Sequence, residues 1–140
     1  MACTFFGHRR CPQEVRLKLE KIIEELIKHQ NESVFYVGNN GDFDAMVYSV
    51  LNYLKKTYSH IEVYIVLAYL PAGKSDEIPD SLFPEGMEYI PKRFAISHRN
   101  RWMVKNSDII VSYITHNWGG AAQFTDYARN KGKRVINISE

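Results

Sequence analysis

Alternation is the strongest constraint in this sequence. Short apolar runs are separated by stretches in which apolar residues recur at helical spacing. "CTFFGH" reads as a first strand ending near Gly7. Pro12 suits a first helical turn, and Val15, Leu19, Ile22, Ile23, Leu26 and Ile27 then repeat with a period near 3.6. "SVFYVG" is a second strand, β-branched and aromatic, ended by Gly38. Asp42 is expected to cap a second helix carrying Ala45, Met46, Val47, Val50, Leu51 and Leu54 on its apolar side. "IEVYIVLAYL" is a third strand, "DIIVSYI" a fourth and "RVINI" a last. Helices are expected near Ser97 to Asn106 and from Gly120 to Lys131, the latter closed by Gly132. Residues 71–90 break the pattern. They are rich in proline and in acids (Asp76, Glu77, Asp80, Glu85, Glu88) and read as a long loop, either a lid or a partner surface.

Strands that are apolar throughout belong in a sheet covered on both faces. The expected fold is therefore α/β and Rossmann-like: a mostly parallel sheet of five to six strands with helices on both faces, in one domain spanning residues 1–140. No apolar run reaches the roughly 18 residues of a membrane span. "MACTFFGHRR" lacks the basic lead and apolar core of a secretory signal. Cys3 and Cys11 form neither a CxxC pair nor a zinc-spaced cluster, so no metal site is expected and a reduced, cytoplasmic protein is the simplest expectation.

The glycines point to a site. Gly7 ends the first strand, Gly38 and Gly41 follow the second, and Gly119 and Gly120 follow "DIIVSYI". In a parallel sheet these turns share the carboxyl edge, where open α/β sheets bind ligands. Two of them lead into helix N-termini, whose free N–H groups attract anions. His8, Arg9 and Arg10 are expected at the same edge. "KRFAISHRNRWMVK" carries five cations and no acid, and within it Arg99 is favoured over Arg101 as an anion contact. Within "GNNGDFDAM", Gly38, Asn39 and Gly41 belong to the expected site, and Asp44 is the better placed of the two acids for a functional role. In "THNWGGAAQFTDYA", Gly119 and Gly120 would present N–H groups to a phosphate, Trp118 would flank a base or ribose, and Thr115 and Asn117 would add neutral hydrogen bonds.

"TFFGHR", "GNNGDFDAM", "RNRWMVKNSDIIVSYI" and "GGAAQFTDYARNKGKRVINI" together resemble the SLOG superfamily, the group named for DprA and LOG proteins. The nearest likeness is to its uncharacterised bacterial and phage branch, which opens with a TGHR-like motif. The resemblance implies a Rossmann-like fold that binds nucleotides or molecules derived from them. In that superfamily LOG members cleave a base from a nucleoside monophosphate, DprA members bind single-stranded DNA, and others sense nucleotide signals. Arg99 and Met103 match the LOG Arg–Met spacing, while Gln123 falls where LOG proteins carry their catalytic Glu. Gln cannot ionise, so it cannot supply the carboxylate that glycosidic cleavage uses.

The favoured expectation is a sensor or sequestering module for a nucleotide-derived small molecule, without cofactor and with a homodimer possible through the helix carrying Arg99. The alternative is an N-glycosidic hydrolase or transferase with Asp44 as acid or nucleophile. Nucleic acid is the least favoured partner, because the net charge is only +2 and the basic run is not interleaved with aromatics.

Overall fold

The structure is a computed structural model that describes residues 1–70 and 80–140. Its elements are β1 (Ala2–Gly7), α1 (Val15–His29), β2 (Val34–Val37), α2 (Asp42–Lys55), β3 (Glu62–Val66), β4 (Ser81–Leu82), α3 (Ala95–Lys105), β5 (Ile109–Tyr113), α4 (Gly120–Asn130) and β6 (Arg134–Asn137). Short 3₁₀ turns occupy Met87–Tyr89 and Lys92–Phe94. The strands form one six-stranded sheet in the order β4-β3-β2-β1-β5-β6, and every pairing is parallel. This is the expected Rossmann-like α/β fold.

Strand alternation divides the core in two. Phe5, Phe35, Val37 and Val111 meet Leu19, Ile23, Val47 and Leu51 of α1 and α2 on one face. Phe6, Val66 and Ile110 meet Met103 and Val104 of α3 and Phe124 and Ala128 of α4 on the other. Neighbouring residues such as Phe5 and Phe6 therefore serve opposite cores, which is why the strands read as continuous apolar runs.

Local details differ from the expectations. Gly41, not Asp42, is the N-cap of α2, at φ 104°; Asp42 is the first helical residue and makes no side-chain cap. Its N–H instead donates to Arg9 O at 2.6 Å, an acceptor supplied by another loop. Ala45 faces solvent. Helix α1 starts at Val15, and Pro12 sits in the turn before it. The segment expected as a loop contributes a two-residue edge strand, β4, because Ile65 and Leu67 N–H groups find acceptors at Asp80 and Leu82. Asp76 and Glu77 lie outside the described residues.

The chain builds outward from β1 to β4, then returns to place β5 on the other side of β1. Connections diverge at that reversal, so a crevice opens beyond the carboxyl ends of β1 and β5.

Candidate functional site

A cleft of about 580 Å³ occupies that crevice. Its floor is Phe5, Phe6 and Gly7 of β1; its walls are the turns after β1, β2 and β5 together with one side of α3. The fold thus brings together Gly7, His8, Arg9, Gly38, Asp44, Arg99, Thr115, Trp118, Gly119 and Gly120. Asn39, which accepts a hydrogen bond from Arg99, and Gly41, packed against Arg9, lie outside the lining, as does Gln123, exposed on α4. Arg10, Asn40, Ile96, Asn100 and His116 also line it.

Close approach explains two of the glycines. A Cβ on Gly7 would stand 2.2 Å from the Phe43 ring. A Cβ on Gly41 would stand 2.7 Å from Arg9 Cα, at a φ that side chains rarely adopt. The His8–Arg10 loop therefore lies against the start of α2. Above Gly119 and Gly120 the space is open, with no atom within 4 Å of an added Cβ. The first N–H groups of α4 have no intrahelical partners and face this open end.

Arg99 is 2% exposed. Its Nε donates to Asn100 Oδ1 at 2.8 Å, Nη1 to Val66 O at 3.1 Å and Asn39 Oδ1 at 3.3 Å, and Nη2 to Asn40 Oδ1 at 2.8 Å. The guanidinium thereby ties the end of β3 to the β2–α2 turn. All these acceptors are neutral, and burial pushes its pKa below the ordinary arginine range against the opposing pull of Asp44. Asp44 Oδ2 accepts the Asn40 N–H at 2.9 Å. Burial raises the Asp44 pKa to about 6, despite that hydrogen bond and the nearby Arg99 and Arg9 charges.

Asp44 consequently links stability to pH. A folded pKa above the ordinary 3.8 means that its contribution is fully present below 3.8 and is lost as pH rises through about 6. Asp44→Asn keeps an oxygen for the Asn40 N–H and removes this loss. Between about pH 4 and about pH 8, the stability of the variant relative to wild type should rise by up to about 3 kcal/mol. Buried Glu32, raised to about 7 by burial and by Asp108, gives both proteins a slope of the same sign, so the difference isolates Asp44. Parallel urea unfolding curves across that range would refute the assignment.

The mouth of the cleft carries an aromatic stack. His8 and His116 rings lie 3.6 Å apart at 14°, and His116 and Trp118 lie 3.8 Å apart at 19°. Backbone contacts fix the order. The Thr115 N–H donates to His8 Nε2 at 3.0 Å, which leaves that nitrogen unprotonated. His116 Nδ1 stands 3.0 Å from Trp118 O, and because a carbonyl only accepts, Nδ1 carries the proton. Burial, then the neighbouring His116, lowers the His8 pKa and favours this neutral arrangement. The outermost ring, Trp118, is 68% exposed. His116 is a lining residue that local pattern does not single out. The available signal was the pair of histidines after β1 and β5, but their stacking depends on the β1–β5 register, in which Gly7 pairs with Tyr113.

The fold and cleft define a Rossmann-like protein with an open crevice at the sheet's switch point. No protein-family model matches the chain, and no curated protein matches it. Solved structures share the fold, among them two DNA processing proteins. DNA processing protein A (DprA) from Streptococcus pneumoniae superposes with a TM-score of 0.68 at 16% identity, covering 96% of this chain and 48% of that one. DNA processing protein A from Helicobacter pylori, described for its unique single-stranded DNA binding mode, gives 0.64 at 13% identity, covering 96% of this chain and 63% of that one. This chain thus spans less than two thirds of either neighbour.

These neighbours overturn two expectations, the small-molecule nucleotide sensor (with its glycosidase alternative) and the dismissal of a nucleic-acid partner: both are named DNA processing proteins, and one is described for its single-stranded DNA binding. The physical reason lies in the surface. Net charge averages over the whole chain and a linear scan for aromatic interleaving sees only neighbours in sequence, whereas folding sets Arg9 and Arg10 beside the His8–His116–Trp118 stack.

Proposed function

We propose that this chain binds single-stranded DNA across the sheet-edge cleft. The observation that carries the reading is the His8–His116–Trp118 stack, ending in an exposed indole next to the open N-terminus of α4. An unpaired base stacks on such a face whatever its identity. Phosphates suit the N–H groups at Gly119 and Gly120 and the exposed guanidinium groups of Arg9 and Arg10. Arg99 and Asp44 shape the wall, with Gly7 and Gly38 allowing its close packing. The DprA neighbours add support by fold analogy, as does the motif resemblance to the SLOG superfamily and its bacterial and phage branch. A cytoplasmic setting fits this reading: Cys3 and Cys11 are free thiols, and no helix among the described residues is long and apolar enough to cross a membrane.

Fluorescence anisotropy with a labelled thymidine oligonucleotide tests the proposal. Binding should favour the single strand over the same sequence as duplex. Two or three phosphate contacts predict log K falling against log salt with a slope of about −1.4 to −2. Equal binding of duplex, or a flat salt profile, would overturn it.

A further inference from the structure

We infer that a second groove, between α3, α4 and residues 84–90, holds a further stretch of anionic single-stranded nucleic acid. The inference takes its ligand class from the reading of the cleft, but its location rests on separate observations. The groove encloses about 660 Å³ on the far side of α3. Arg99, Asn100 and Met103 face the cleft, whereas Arg101, Trp102 and Lys105 face the groove. Lys131 and Lys133 line it from the end of α4, and Glu85 is its one acid. Its formal charge without histidine is therefore +3, where the whole chain carries +2.

Among the described residues none of these cations is in an ion pair; the one ion pair is Arg129–Asp126, elsewhere on α4. A lysine near a helix C-terminus stabilises the dipole, which accounts for Lys105 and Lys131. It does not account for Arg101, in the middle of α3, or for Lys133, beyond α4, converging on the same groove. Two aromatic side chains lie among the charges. Trp102 is held edge-on to Tyr36 at 5.0 Å, and Lys131 Nζ sits 5.5 Å from the Tyr127 ring centre. Cations alone would suit an acidic peptide equally well; cations around aromatic rings favour a chain of phosphates and bases.

The test compares labelled oligothymidines of about 5 and about 20 nucleotides, the first short enough for one site and the second able to reach both. Arg101→Glu with Lys131→Glu changes two exposed side chains, and a melting curve matching wild type shows that the fold is kept. The double variant should bind the short strand as wild type does. It should bind the long strand at least about tenfold more weakly, with a salt slope shallower by about 1.4 for two lost phosphate contacts. An unchanged affinity and slope for the long strand would overturn the inference. If Trp118→Ala leaves both lengths unaffected while the charge reversal abolishes binding, the groove stands and the cleft reading fails. If polyglutamate binds wild type in an Arg101- and Lys131-dependent way while the long strand does not, the occupant is an acidic protein segment and the inference is wrong.

Discussion

Gly7→Ala should destabilise the fold by about 3 kcal/mol, the upper part of the range for forcing an atom into a packed core. The added Cβ would fall 2.2 Å from Phe43 Cγ and Cδ2 and 2.8 Å from Phe43 Cβ. Phe43 is fully buried against the end of β1, so its ring has little room to swing away. The clash is with the root of the side chain as well as its tip, so a rotamer change relieves only part of it. Phe43→Ala alone should cost about 3–5 kcal/mol through the cavity it leaves. The double variant should then cost clearly less than the sum of the two, because the new methyl occupies part of that cavity. Chemical unfolding of the four proteins measures the cycle. Strict additivity would mean that Gly7 and Phe43 do not oppose each other as the structure places them. Gly7 lies in the floor of the cleft, so Gly7→Ala should also weaken ligand binding at temperatures where it remains folded.

Trp118→Ala should have the largest effect on binding. Loss of one base–aromatic stack removes about 1–3 kcal/mol, which is roughly a 5- to 150-fold weaker single-strand affinity. Thermal stability should hardly change, since the ring is 68% exposed and rests on His116 alone among its aromatic neighbours. Trp118→Phe keeps a flat π face and should recover most of the affinity. Anisotropy titrations of the three proteins at one salt concentration separate the cases. Wild-type affinity in the alanine variant would remove the stack from the binding surface. A loss of affinity that phenylalanine fails to restore would point to the indole N–H instead of stacking.

Much of the architecture was legible in the sequence because it is written in local periodicity. The spacing of Leu19, Ile23, Leu26 and Ile27 is a helix face, and all four are buried where it predicts. The runs around Phe5, Phe35, Val63 and Val111 carry the composition of strands packed on both faces. The glycine turns after three such strands were enough to locate the carboxyl edge, since parallel topology puts them all there. Capping was less legible. Asp42 has the right chemistry for an N-cap, yet the acceptor for its N–H comes from Arg9, about thirty residues earlier. The edge strand Ser81–Leu82 was hidden for a similar reason: two residues carry no period, and pairing with β3 is what makes them a strand.

The sequence by itself determined the order of elements, the sheet's apolar faces and the edge at which the cleft opens. Each of these follows from residues within a few positions of one another. Tertiary structure alone decided how that edge is furnished. It buried Arg99 as a brace between β3 and the β2–α2 turn, and it stacked His8 on His116 across the β1–β5 register. It also gathered cations from α3 and the end of α4 into one groove while the net charge stayed near neutral. Those features are contacts between residues far apart in the chain, and local pattern carries no information about which distant side chains will meet.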